Sequence, residues 1–151
     1  AIIVQSLGDR LAEATAEYLH KIMRHQCGIG QDEGFAAETK LEEEHARFLI
    51  KEKYRGIRPA AGYPSCPDHS EKAVLWDLLE VEKRIAATLT SSYAMKPPSS
   101  VSGFYLNHSG AKYFNLGMIG KDQVSDYAER KNISLAEAEK WLRPHLGYDE
   151  E

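Results

Sequence analysis

Residues 56–69 read Gly-Ile-Arg-Pro-Ala-Ala-Gly-Tyr-Pro-Ser-Cys-Pro-Asp-His, and neither a regular helix nor a central strand can run through them. Each proline fixes φ and removes a backbone donor, and glycine weakens whatever regular element it sits in. Three prolines and two glycines in fourteen residues therefore make a stiff, irregular segment. It separates helical sequence before it from mixed sequence behind it. Proline narrows the unfolded ensemble, so ordering such a stretch loses less entropy than ordering a common loop. The segment can hold Arg58 and Tyr63 and display backbone groups at set angles.

On the N-terminal side, Ile3, Leu7, Leu11, Ala14, Tyr18 and Ile22 recur at three- and four-residue steps, which predicts a long helix over about residues 1–25 with that stripe facing the core. Gly8 lies inside it. Cys27 to Gly34 reads as a loop. A charged helix is expected over about 35–53, with Leu41, His45, Phe48 and Leu49 inward and Glu42-Glu43-Glu44 solvated. After the proline segment, a third helix is expected over about 70–86. Asp68 or Ser70 can cap it, and Val74, Leu75, Leu78, Leu79 and Val81 supply its buried side. Residues 90–95, 101–107 and 111–119 have the β-branched and aromatic content of strands, with Asn107-His108-Ser109-Gly110 as a turn. Helices over about 121–131 and 135–142 close the chain. Ser134 and Glu137 fit a capping box for the second, and Pro144 ends it. These elements predict an α+β fold, helices packed on a short antiparallel β-sheet, in a single domain spanning 1–151.

The 151 residues suit one domain, and a chain this size buries roughly 68–70% of its unfolded surface. A net charge of -4 of mixed sign leaves no electrostatic footprint for nucleic acid or an anionic membrane. No apolar run is long enough to span a bilayer, and the start lacks the basic region of a signal peptide. Two cysteines, Cys27 and Cys66, are too few for a disulfide framework, so a reducing, cytoplasmic setting is expected. Residue 1 is Ala, inside a periodic apolar pattern, which leads us to expect a piece of a longer protein.

Three constellations bear on chemistry. Arg58 offers a planar fork that matches a carboxylate bidentately, and Tyr63 offers an aromatic face and one hydroxyl. The competing reading is a rigid connector whose arginine caps a helix end. Cys66-Pro67-Asp68-His69 has the spacing of two zinc ligands, but a closed site needs about four. No metal is therefore expected. Cys66 and His69 lack the orienting carboxylate and oxyanion donors of a nucleophile–base pair, so no catalytic residue is assigned. In Val101-Ser102-Gly103-Phe104-Tyr105-Leu106 and Ala111-Lys112-Tyr113-Phe114, consecutive aromatics on extended chain point to opposite sides. One of Tyr113 and Phe114 should face the core and the other a helix layer or a ligand. No phosphate loop or G-x-G-x-x-G is present.

The segment from Arg58 to Lys72 resembles the R-P-A-P-G-Y-P-x-C-P-E/D-H-T-E-K signature of the activation domain of cobalamin-dependent methionine synthase. Leu7-Gly8-Asp9-Arg10-Leu11-Ala12-Glu13-Ala14 is similar to that family's long helix. Val101-Ser102-Gly103-Phe104-Tyr105 and Lys112-Tyr113-Phe114 resemble its V-S-G-x-Y and K-Y-F/Y strands. Lys121 to Ala128 and Leu146-Gly147-Tyr148-Asp149 resemble its C-terminal end. The matches fall in order along nearly the whole chain.

The resemblance implies a domain that binds S-adenosylmethionine in a shallow groove through Arg58, Ala60, Tyr63, Tyr113 and Phe114. It implies that the methyl group is presented for reductive remethylation of cob(II)alamin held on a neighbouring cobalamin-binding domain, with the electron from a flavodoxin or a diflavin reductase. The chain is then part of a methyltransferase, homocysteine methyltransferase, and inactive alone. A non-catalytic module, sensing S-adenosylmethionine or docking a flavodoxin, is the alternative. The sequence departs from the family in three respects. The family's domain is about twice as long, with an acidic ligand contact in an upstream half that has no counterpart here, so a C-terminal portion of that domain is expected, as a fragment of a large synthase or as a shortened stand-alone version. Ala61 replaces the second proline of R-P-A-P. The stretch Gln31–Ala46 is longer and more acidic.

Overall fold

The structure, a computed structural model, describes residues 2–34 and 42–149. Among them run α1 (Ile2–Gln26), α2 (Glu43–Ile50), α3 (Glu71–Leu78), α4 (Val81–Ile85), β1 (Thr88–Leu89), β2 (Met95–Lys96), α5 (Lys121–Lys131) and α6 (Leu135–Leu142). The strands pair as a hairpin, hence antiparallel, and the expected α+β class holds. Two compact units are distinguished: residues 1–59 with 94–113, and residues 60–93 with 114–151. Among the described residues no helix is long and apolar enough to cross a membrane.

In the first unit, α1 is present where the periodicity places it, but its burial is the reverse of the expectation. Ile3, Leu7 and Leu11 are exposed, whereas Ala16, His20, Lys21 and Arg24 are buried. Periodicity finds a helix without naming what its faces meet, and here the inward face is polar, with Arg24 paired to Glu33 and His20 stacked on Tyr105. On α2, His45 and Leu49 are buried as expected and Glu42, Glu43 and Glu44 are exposed. The start of that predicted helix, 35–41 with Leu41, lies outside the described residues.

The expected strand 101–107 pairs with the start of the proline segment without forming a named strand. Ile57 and Leu106 exchange both backbone hydrogen bonds, at 3.3 and 2.9 Å, and Phe104 N–H donates to Pro59 O at 2.9 Å. The reciprocal bond cannot form, because Pro59 has no N–H, and the ladder stops there. Gly56, at φ +85, takes a conformation that L side chains rarely adopt, and a Cβ there would lie 3.1 Å from Leu106 O.

The second unit has a core of Ile119, Val124, Ala128, Ala138, Leu142 and Leu146, which packs α5 against α6. A short link makes the two helices neighbours, and each N-terminus is capped. Gly120 N–H donates to the Gln123 side chain at 2.9 Å, and Glu137 N–H donates to Ser134 Oγ at 3.2 Å. The predicted 70–86 helix is two helices, because Glu80 takes a left-handed conformation at φ 50 and restarts the chain as α4. Its inward residues are Lys72, Trp76 and Val81, while Val74, Leu78 and Leu79 are exposed and Leu75 is half-buried. Trp76 fixes this face by donating its indole N–H to Ala87 O at 2.9 Å. Ser70 is the N-cap of α3 but makes no capping bond with its side chain, and Asp68, two residues earlier, accepts from Ser70 N–H at 2.7 Å.

Residues 90–95, expected as a strand, are mostly the loop between β1 and β2. Tyr93 sits at φ 59 and donates its N–H to Thr90 O at 2.9 Å, so the backbone closes on itself. The Tyr93 ring packs edge-on against Trp141 at 5.0 Å. Residues 111–118, expected as part of a strand, belong to no described helix or strand, and Gly117 takes a positive φ of 71. The Gly117 carbonyl lies 3.1 Å from His145 Nδ1, and Ile119 bridges Leu146 in parallel sense.

Candidate functional site

Arg58 leaves the ladder residue Ile57 with its side chain turned toward α1. Its guanidinium Nη1 pairs with Glu17 at 2.6 Å and donates to the Tyr54 hydroxyl. Nη2 lies 3.3 Å from Glu52 and 3.9 Å from Glu13. These partners differ in kind: the Glu17 side chain is 15% exposed, those of Glu52 and Glu13 48% and 60%. Burial works against the Arg58 charge, but Glu17 and Tyr54 outweigh it and raise the guanidinium above its ordinary value. Burial pushes the Glu17 carboxyl up, and Arg58 pulls it part of the way back. Arg58 is thus no helix cap. It is a cation inside an acidic cage, tight on one edge and loose on the other.

A layer of rings and charges stands behind this cage. Tyr54 donates its hydroxyl to Glu17 at 3.1 Å. The Arg24 guanidinium covers the Tyr54 ring at 3.6 Å and is itself held by Glu33 through two bonds of 2.7 and 3.1 Å. His20 meets Tyr54 edge-on at 5.4 Å and stacks on Tyr105 at 4.9 Å. Tyr105 donates its hydroxyl to Ala16 O at 2.9 Å. Burial and the two neighbouring arginines, Arg24 and Arg58, hold the His20 imidazole down at about 4, so it is neutral near pH 7.

In the second unit, residues 62–66 form a closed turn. Gly62 N–H donates to Cys66 O and Cys66 N–H to Tyr63 O, both at 2.8 Å. The His69 ring covers Gly62, where a Cβ would come 2.0 Å from it, so only glycine fits at φ +99. Lys72, buried, points its ammonium at His69 Nδ1, 2.8 Å away. Burial and Lys72 lower the His69 imidazole, and burial raises the Cys66 thiol. Below this turn, the Asp68 carboxylate, buried, accepts from Lys131 at 2.6 Å and from the Tyr127 hydroxyl at 2.7 Å. Lys131 also donates to Ser70 Oγ at 2.8 Å and pairs with Glu71. Burial works upward on Asp68, but the donors Lys131, Tyr127 and Ser70 together keep its carboxyl below the usual range.

Of the expected site residues, Arg58 and Tyr113 meet in the first unit: Arg58 N–H donates to the Tyr113 hydroxyl at 3.0 Å. Ala60, Tyr63 and Phe114 belong to the second unit. Tyr63 is 65% exposed and projects from its turn. Tyr113 and Phe114, at 50% and 59%, are both exposed, so neither faces the core as expected. Residues 112–118 are exposed throughout. Ala61 is buried where the family signature has proline. Among the described residues no three His, Cys, Asp or Glu side chains gather as a metal site. Sequence reasoning missed Glu13, Glu17, Glu52 and Tyr54. The spacing of Glu13 and Glu17, four apart on α1, was the available signal, since it sets two carboxylates on one helix face.

Comparison with known proteins places this arrangement in context. The family described as "Vitamin B12 dependent methionine synthase, activation domain" matches residues 1–132. A crystal structure of the MetH reactivation domain bound to AdoHcy is similar to this chain, with 51% sequence identity and a TM-score of 0.84. The likeness covers 98% of this chain and 43% of that one, so the chain spans less than half the length of this relative. Motif order, fold and family match agree, and the chain belongs to the activation-domain family of vitamin B12-dependent methionine synthases.

Proposed function

We propose that this chain binds S-adenosylmethionine through Arg58, Ala60, Tyr63, Tyr113 and Phe114 and serves the reactivation of methionine synthase. The observation that carries the reading is the asymmetric cage of Arg58. Its Nη1 is fixed by Glu17 and Tyr54, while among the described residues Nη2 meets only the exposed carboxylates of Glu52 and Glu13. A ligand carboxylate can replace those loose partners without dismantling the tight ones. The donor set fits the ligand. A guanidinium suits the carboxylate, and the exposed rings of Tyr63, Tyr113 and Phe114 offer faces to a sulfonium cation and an adenine. The relative bound to AdoHcy, the demethylated form of this ligand, supports the same chemistry.

When bound, S-adenosylmethionine supplies a methyl group for reductive remethylation of cob(II)alamin, which a neighbouring cobalamin-binding domain of the synthase holds. A flavodoxin or a diflavin reductase supplies the electron. This chain's part is to hold the donor by its carboxylate and ring faces and leave the methyl accessible. None of its residues is assigned as acid, base or nucleophile for the transfer, and it is expected to methylate no acceptor alone. Retention of labelled S-adenosylmethionine, competed by S-adenosylhomocysteine, is the test, on this chain and on a full-length synthase bearing it. The expected result is competition. Absence of retention in both proteins, or methyl turnover by this chain without a cobalamin protein, would defeat the proposal.

A further inference from the structure

We propose that Tyr54 and Glu17 are positioning residues that set the ligand-facing edge of Arg58, resting on the S-adenosylmethionine reading above. An arginine with one buried and one exposed edge can present a fork at a fixed angle only if the buried edge cannot swing. Glu17 and the Tyr54 hydroxyl both engage Nη1, and Tyr54 also donates to Glu17 at 3.1 Å, so the three groups close a triangle. The triangle has a rigid support. The Tyr54 ring lies under the Arg24 guanidinium at 3.6 Å and against the edge of His20 at 5.4 Å. Arg24 is fully buried and pinned by the two bonds from Glu33. A chain of contacts therefore runs from Glu33 through Arg24 and Tyr54 to Arg58, all within one unit. Burial raises the Tyr54 phenol, so the hydroxyl keeps its proton and its donor role at working pH.

Neither residue has to touch the ligand in this arrangement. Their effect passes through the guanidinium, and it concerns only the ligand's carboxylate. That gives a readout which a general structural role would not produce. Tyr54→Phe keeps the ring between Arg24 and His20 and deletes only the hydroxyl. Binding of S-adenosylmethionine and of its decarboxylated analogue is measured by calorimetry, on this chain and on a full-length synthase bearing it. Tyr54→Phe is expected to weaken S-adenosylmethionine about tenfold, as befits loss of one hydrogen bond to a charged group, and to leave the decarboxylated analogue unchanged. In an Arg58→Ala background the same substitution should have no further effect. Equal weakening of both ligands, or of neither, overturns the inference. If Arg58→Ala weakens S-adenosylmethionine while Tyr54→Phe does not, only the positioning role fails. If Arg58→Ala itself leaves affinity unchanged, the carboxylate reading of Arg58 fails, and this inference with it.

Discussion

Arg58 and Tyr113, fifty-five positions apart, are joined by a hydrogen bond of 3.0 Å from the Arg58 backbone N–H to the Tyr113 hydroxyl. The bond uses the backbone of Arg58 and leaves its guanidinium to the acidic cage. Tyr113→Phe should therefore remove one bond without disturbing Arg58's ion pairs. We expect a loss of about 0.5–1.5 kcal/mol in stability. We also expect faster hydrogen exchange at the Arg58 amide, with exchange at Leu106 unaltered because its bond to Ile57 remains. Unchanged exchange at Arg58 would show that the bond does not form in solution.

His20 makes the first unit sensitive to mild acid. Its folded value, about 4, lies below the ordinary 6.5, so the unfolded chain binds the proton more readily. The stability this represents is present above pH 6.5 and is lost as pH falls toward 4. Between pH 7 and pH 5 the loss from this one group is about 2 kcal/mol. Chemical denaturation across that range should show the decline in the native protein and lose most of it in His20→Phe, which keeps the stacking surface against Tyr105. An identical pH slope in the two proteins would contradict the assignment.

The second unit depends on a carboxylate, in a lower pH range. Asp68 is held below its ordinary 3.8, so its contribution is present above that value and lost as pH falls beneath it. Asp68→Ala takes one partner each from Lys131 and the Tyr127 hydroxyl but leaves them Glu71, so the cost should be about 1.5–3 kcal/mol, the worth of a hydrogen bond to a charged group. The melting temperature of Asp68→Ala at neutral pH measures this, and a shift of less than a degree would show that Glu71 alone suffices for Lys131.

Burial also separates two sets of apolar residues that look alike in sequence. Leu142 is 4% exposed inside the α5–α6 core, and Leu142→Ala should cost about 2–5 kcal/mol. Leu7 and Leu11 are 59% and 60% exposed, and replacing both with Gln should change the stability of this chain by at most about 0.5 kcal/mol per site. A large loss for the α1 pair would restore the inward-facing stripe that periodicity suggests.

These comparisons show where the sequence is readable. The α5 and α6 helices are legible to the residue, and for α6 the reason is a local cap, Ser134 with Glu137. The proline segment is legible as irregular because proline acts wherever it stands. The orientation of α1 is not, since its inward face consists of His20, Lys21 and Arg24, whose partners such as Glu33 and Tyr54 come from other parts of the chain. The strand at 101–107 has the right composition, but Pro59 on the opposing segment removes the donor that would extend its ladder. Arg58 and Tyr113 stand out through motif resemblance, whereas Glu17 and Tyr54 are visible only once the chain is folded.

If Arg58 grips the carboxylate of S-adenosylmethionine, calorimetric titration of Arg58 variants will read the loss of that contact. The measurement belongs both on this chain and on a full-length synthase bearing it. A bidentate, charge-assisted contact contributes about 1.5–3 kcal/mol, so Arg58→Ala should weaken binding by roughly ten- to a hundred-fold. Arg58→Lys should recover only part of that, because a point charge cannot reproduce the fork. Tight binding that Arg58→Ala leaves unchanged, with the fold intact, would contradict the account and make Arg58 a residue of the acidic cage alone.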